Sequence, residues 1–215
     1  MKWDLRKQLA LYLVLGGAPN QHGRSAIEIA RSALAGGVSV VQWRDKTHPL
    51  KQALPVAARI RDACRQHGVP FIVNDRIDLA MLLDADGVHL GQDDVPLREA
   101  RRLLGSERLI GISVGTFEEA LEAAEHGADY LGVGAIFATA TKQDAGAPIG
   151  TALLARIAAE LPVAQVGIGG IQASNAAEVL RAGAHGVAVV SAITEAADVQ
   201  QAAQTLRAIT NRGLE

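Results

Sequence analysis

Two short apolar runs in the first half of the chain end in acidic residues. They are Phe71-Ile72-Val73-Asn74-Asp75 and Gly87-Val88-His89-Leu90-Gly91-Gln92-Asp93-Asp94. Each reads as a buried strand that stops at polar groups. Parallel strands joined by helical crossovers enter a sheet in the same direction, so their C-terminal ends lie side by side. Asp75 and Asp94 would then face one space and could hold a hard cation such as Mg²⁺ through oxygen ligands. A plainer reading is that Asn74 and Asp75 cap a helix starting near Arg76. The recurrence of an acidic end at Asp93 and Asp94 favours the site.

Other runs deliver different chemistry. In Ser-Val-Val-Gln-Trp-Arg-Asp-Lys, residues Gln42, Arg44 and Lys46 fall at i, i+2 and i+4, on one face of a strand. Trp43 and Asp45 point the other way. Arg with its fork and Lys as a point charge suit an anion, although a solvated strand exit has the same composition. Further along, Ser113 ends Leu-Ile-Gly-Ile-Ser-Val, and a polar loop carries Thr139, Thr141 and Lys142. Gly167-Ile168-Gly169-Gly170 and Val190-Ser191 end the last two apolar runs. Glycines let backbone N–H groups approach a phosphate, and strand ends seven and eight of an α/β barrel often do this. Two anion regions suit two phosphorylated substrates, or one substrate with a phosphate at each end. The histidines say less. His89 sits within a strand and reads as a core residue with a local hydrogen bond, and no His pair has metal-ligand spacing.

These residues need elements that bring them together. Short apolar runs alternate with helical patterns from end to end, giving eight β-then-α units without a break in composition. Continuously apolar strands are expected where both sheet faces are buried. The helical patterns cover 25–35, 49–67, 78–83, 97–105, 117–126, 153–160, 174–182 (with Ser174 as cap) and 196–210. Passages such as Ala-Asp-Gly-Val, Gly-Ala-Asp-Tyr and Gly-Ala-His-Gly-Val recur where a helix leads into the next strand, and belong to the fold. The expectation is one α/β domain over 1–215, a closed (β/α)₈ barrel with its site at the C-terminal strand ends. An open doubly wound sheet is the alternative, but no early G-x-G-x-x-G turn supports it.

Composition narrows the function. A formal charge of −2 and 3% aromatic residues offer neither a basic patch nor stacking platforms for nucleic acid. The N-terminal apolar run falls far short of the roughly 18–20 residues that span a bilayer, so no membrane role is expected. One cysteine, Cys64, fits a reducing cytoplasm and a buried thiol. A homo-oligomer is left open.

Val-Gln-Trp-Arg-Asp-Lys, Asn-Asp-Arg-Ile-Asp-Leu-Ala, Ala-Asp-Gly-Val-His-Leu-Gly-Gln, the Thr-x-Thr-Lys loop, Val-Gly-Ile-Gly-Gly-Ile and Gly-Val-Ala-Val-Val-Ser-Ala-Ile occur in one order. Together they resemble the thiamine-phosphate synthases over nearly the whole chain. The resemblance implies a (β/α)₈ barrel that joins 4-amino-2-methyl-5-hydroxymethylpyrimidine diphosphate to 4-methyl-5-(2-phosphoethyl)thiazole with Mg²⁺. It implies that Gln42, Arg44, Lys46, Asn74, Ser113 and Lys142 meet the pyrimidine diphosphate, with Lys142, Ser113 and Arg44 nearest the reaction. Asp75 and Asp94 would bind Mg²⁺, and Thr139, Thr141, Gly169, Gly170, Val190 and Ser191 would hold the thiazole phosphate. Ala135 and Ala138 replace two family prolines, which implies a looser loop. Val114-Gly115-Thr116 follows Ser113 in place of the family's usual polar pair. A thiazole tautomerase-like relative and a Schiff-base aldolase using Lys142 are the competing readings.

Overall fold

Every strand buries both of its faces, and the two faces go to different places. The computed structural model describes residues 3–18, 20–139, 141 and 146–212. The strands are β1 (Leu11–Leu15), β2 (Val40–Trp43), β3 (Phe71–Asn74), β4 (Gly87–Leu90), β5 (Leu109–Val114), β6 (Tyr130–Val133), β7 (Ala164–Ile168) and β8 (Gly186–Val189). All neighbours pair in parallel, and β1 pairs with β8 through Tyr12 opposite Ala188, so the sheet closes into a barrel. The open-sheet alternative is thereby excluded. Tyr12, Val14, Val40, Ile72, Leu109, Tyr130, Val166 and Ala188 fill the interior. Their neighbours in sequence, such as Leu13, Val41, Trp43, Val73 and Leu131, pack outward against the helices. The period-2 alternation thus separates barrel core from helix contact.

The helices are α1 (Leu5–Gln8), α2 (Ala26–Ala35), α3 (Leu50–Gln66), α4 (Ile77–Leu82), α5 (Leu97–Leu104), α6 (Phe117–Glu125), α7 (Ala152–Glu160), α8 (Ala176–Arg181), α9 (Ser191–Thr194) and α10 (Val199–Arg212). Glu28 accepts from the Ser25 backbone N–H at 2.8 Å, and Thr116 Oγ1 accepts from the Glu119 N–H at 3.2 Å, the reciprocal bonds of helix starts. Two helix starts differ from the sequence reading for reasons the structure shows. Asn175, not Ser174, precedes α8; its Oδ1 accepts from Gln172 N and its Nδ2 donates to Gly170 O. The last long helix starts at Val199, because the carbonyls of Ala196 and Ala197 accept from Arg24. The short α1 and α9 have too few residues to show a helical period. Cys64 is buried, and burial pushes its thiol up to about 12. Among the described residues no helix is long and apolar enough to cross a membrane.

The barrel floor is latched in a fourfold repeat. Ser39, Asp86, Asp129 and His185 each stand just before an even-numbered strand. Each donates its backbone N–H to the carbonyl of a residue at the start of the preceding odd strand: Leu11, Phe71, Ile110 and Gln165. Each also accepts that residue's N–H on its side chain, at 2.9, 3.0, 2.7 and 3.3 Å in turn. The recurring helix-exit passages are therefore the floor of the fold, satisfying backbone donors that would otherwise lie buried and unpaired.

Candidate active site

The C-terminal strand ends open on a cavity of about 1460 Å³. Gln42 comes from β2, and Arg44 and Lys46 from the segment just after it, since the strand ends at Trp43, which is buried on the helix side. From β3 and β4 come Asn74, Asp75, His89, Gln92, Asp93 and Asp94. Ser113, Thr139, Thr141, Gly169, Gly170, Val190 and Ser191 line the same space. Lys142 lies outside the described residues. The looser loop implied by Ala135 and Ala138 extends into residues 140 and 142–145, which also lie outside them; Ala135 itself is buried.

Asp75 is not a helix cap. α4 begins after Arg76, whose side chain makes no cap bond. Asp75 sits at φ 61°, in the left-handed region that few non-glycine residues enter. Its N–H donates to His89 O at 2.9 Å, and its Oδ2 lies 3.2 Å from Lys46 Nζ. Burial, followed by the neighbouring Asp94, raises its carboxyl above the ordinary value, against the opposing pull of Lys46. Asp94 Oδ2 accepts from Gly91 N–H at 2.7 Å, which fixes the second carboxylate on its turn. Two carboxylates held this close favour a proton or an added cation beside them.

The donor set can be tested against Mg²⁺. Among the charged side chains described here, Asp75, Asp93, Asp94 and Glu119 outnumber Arg44 and Lys46 two to one. Leaving aside Lys142, which is not among the described residues, that lining is net acidic and favours an added cation beside a polyphosphate. Among the described residues no group of three or more His, Cys, Asp or Glu is placed to chelate a metal alone. Mg²⁺ commonly takes one or two carboxylates and completes its shell with water and substrate phosphate. The residues present fit that ion.

Across the mouth the surroundings are backbone. Gly169 and Gly170 have φ 101° and 64°, a conformation that only glycine adopts freely. A Cβ on Gly169 would fall 2.6 Å from Ala135 Cβ, and one on Gly170 would strike the Ala138 carbonyl. The glycines are thus needed for contact with the loop after β6, as well as for any approach of an anion. Val190 precedes α9 and Ser191 opens it, with the Ser191 side chain exposed. Thr139 Oγ1 accepts from Thr141 N at 3.2 Å.

Some cavity residues were not anticipated. Glu119 accepts from the N–H groups of Gly115 and Thr116 at 2.6 and 3.3 Å, so the turn after Ser113 is bound to α6. Gln92 Nε2 donates to Ser113 O at 2.7 Å. Tyr12 lines the cavity floor and Tyr130 lies beside it, their hydroxyls 2.8 Å apart. The available signal was that both tyrosines of the chain interrupt aliphatic strands, where a phenol needs a partner.

The model of the thiamine monophosphate synthase family matches residues 11–193. The chain belongs to the thiamine-phosphate synthase family. A thiamine-phosphate synthase of Moorella thermoacetica is 48% identical over 98% of this chain and 97% of its own. One of Chloroflexus aurantiacus is 50% identical over 94% and 92%. The solved thiamine phosphate pyrophosphorylase of Pyrococcus furiosus superposes with a TM-score of 0.89 at 39% identity, covering 99% of this chain and 100% of that one. Membership in the family thus spans the whole barrel and includes every strand end described above.

Proposed function

We propose that this chain condenses 4-amino-2-methyl-5-hydroxymethylpyrimidine diphosphate with 4-methyl-5-(2-phosphoethyl)thiazole, giving thiamine phosphate and diphosphate. The observation that carries the reading is the carboxylate pair Asp75 and Asp94 beside Lys46 and Arg44, opposite a glycine-lined wall, in one cavity of one family member. In this assignment Arg44 and Lys46 hold the diphosphate, and Gln42, Asn74 and Ser113 hold the pyrimidine. Gly169, Gly170, Val190 and Ser191, with Thr139 and Thr141, hold the thiazole phosphate. Asp75 and Asp94 hold Mg²⁺, which when bound neutralises charge on the diphosphate.

The bond from the pyrimidine methylene carbon to the diphosphate oxygen breaks, and its electron pair leaves with diphosphate. The thiazole ring nitrogen supplies the pair for the new carbon–nitrogen bond. Neither event needs a protein nucleophile. The side chains bind, orient and neutralise the leaving group, and Lys142 adds charge there. Incubation with both substrates and Mg²⁺, scored for thiamine phosphate and released diphosphate, tests the reading. Absence of both products from folded protein overturns it.

A further inference from the structure

Five polar side chains form one line through the barrel. Gln42 Nε2 donates to Tyr12 Oη at 2.8 Å, and Tyr12 Oη lies 2.8 Å from Tyr130 Oη. Tyr130 Oη is 3.1 Å from His89 Nδ1, and His89 Nε2 is 2.9 Å from Ser113 Oγ. Gln42 and Ser113 line the cavity, as do Tyr12 and His89 at its floor, yet Tyr12 and Tyr130 are each only 1% exposed and His89 8%. Space is kept for the line. A Cβ on Gly111 would strike the Tyr130 ring and sit 2.6 Å from His89 Nδ1, and one on Gly132 would sit 2.9 Å from His89 Cε1.

The protons in this line can be counted. An amide nitrogen only donates, so Tyr12 Oη accepts from Gln42. Burial holds both phenols above their ordinary values, so each keeps a proton to donate. A buried hydroxyl proton without an acceptor is costly, so Tyr12 gives its proton to Tyr130. Tyr130 then gives its own to His89 Nδ1. A neutral imidazole that accepts at Nδ1 carries its proton on Nε2 and donates it to Ser113 Oγ.

The geometry points to a one-way hydrogen-bond relay from Gln42 through Tyr12, Tyr130 and His89 to Ser113. Tyr12, Tyr130 and His89 are its positioning residues. They commit the Gln42 amide nitrogen inward, leaving its carbonyl oxygen as an acceptor for the ligand, and leave the Ser113 hydroxyl proton as a donor. The relay therefore selects a heterocycle with an N–H donor for Gln42 and a lone-pair nitrogen for Ser113. Given the proposed function, the aminopyrimidine edge has both. An oxo group in place of the amino group inverts that edge, setting acceptor against acceptor and donor against donor.

The test has two arms, each with wild type, Tyr130→Phe and Tyr12→Phe. In the first, nitrogen-15 NMR of the ligand-free protein locates the His89 proton. It is expected on Nε2 in wild type and in Tyr12→Phe, and shared between the two nitrogens in Tyr130→Phe, where Nδ1 loses its donor. In the second, kcat/KM is measured for the amino and 4-oxo pyrimidine diphosphates. The amino-over-oxo ratio should fall about tenfold in each variant, the worth of one net hydrogen bond, with KM for the amino substrate rising more than kcat falls. The intrinsic reactivity of the two substrates is common to all three proteins and cancels. A wild-type proton on Nδ1, or a ratio unchanged in both variants, overturns the relay. Lower melting temperatures with neither readout moved would make the line structural only and overturn it too. If Tyr130→Phe does not fold, the wild-type spectrum and the Tyr12→Phe ratio still decide. The first arm needs no substrate, so a chain that makes no thiamine phosphate fails the proposed function while the direction of the relay is still read.

Discussion

Lys46 Nζ lies 3.2 Å from Asp75 Oδ2, so an ammonium from just after β2 neutralises a carboxylate at the end of β3. The lysine is 54% exposed at its side chain and the aspartate 25%, so the pair contributes little to stability. Its interest is positional. A divalent ion held by Asp75 and Asp94, as proposed, would compete with Lys46 for the same oxygens and leave the ammonium to an arriving phosphate. Excess EDTA should therefore abolish turnover. Asp75→Asn and Asp94→Asn should each lower kcat by roughly 10²–10³-fold, as for removal of one preorganised charge contact. Titration calorimetry of Mg²⁺ with inorganic diphosphate checks the metal directly, and undiminished binding in both variants would refute the assignment.

Ser191 offers a probe of the opposite wall that a glycine substitution does not. Any Cβ at Gly170 strikes the Ala138 carbonyl, so its loss would mix folding with binding. Ser191→Asp places a negative charge at an exposed position beside the proposed phosphate. KM for the thiazole phosphate should rise roughly 10- to 100-fold, in keeping with like-charge repulsion at a partly exposed site. KM for the pyrimidine diphosphate should move much less. Equal rises for both substrates would argue against separate anion regions.

Lys142 should act as a charge and form no covalent bond. Lys142→Ala is expected to lower kcat roughly 10²–10³-fold, and Lys142→Arg to recover part of it, since charge returns without the same shape. Borohydride treatment with a carbonyl substrate distinguishes this from an aldolase lysine. A trapped adduct on Lys142, found by mass spectrometry without thiamine phosphate formation, would reverse the reading.

His185 predicts a pH effect on stability. Burial, then the nearby Arg6, holds its imidazole below the ordinary value, against a smaller opposing effect from the Gln165 backbone. The unfolded chain therefore binds the proton more readily, and stability is lost as pH falls below about 6.5. His185→Asp would place at this floor position the residue type already found at Asp86 and Asp129. Urea unfolding across that range should give a shallower decline for His185→Asp than for wild type. Parallel curves would exclude His185 as a source of the slope.

The strand order was legible because each strand is an uninterrupted apolar run and each helix has its own period. The same alternation separated Gln42 from Trp43, while Arg44 and Lys46 reach the mouth from beyond the end of β2, where the strand period no longer applies. What the chain order hides is pairing across the barrel. Tyr12 and Tyr130 are 118 positions apart, and His89 and Tyr130 are 41 apart. No local pattern announces that their polar atoms meet. The left-handed turn at Asp75 was equally hidden, since aspartate at a strand end reads first as a cap. The start of α10 was missed because Arg24, in a distant loop, takes the carbonyls of Ala196 and Ala197.

Among the described residues, the latches beneath the barrel each join an odd strand to the even one that follows it. β1 and β2, β3 and β4, β5 and β6, and β7 and β8 are each clasped by a side chain as well as by their ladder. Each side-chain clasp lies inside a quarter, and among the described residues the boundaries between quarters are held by the strand ladder without such a clasp. New termini introduced by circular permutation after β2, β4 or β6 would leave all four clasps intact, whereas a cut after β1, β3, β5 or β7 would sever the connection that one of them reinforces. The barrel is closed in shape but modular in its wiring, with four parts, each of two parallel strands and their helices, beneath a single shared mouth.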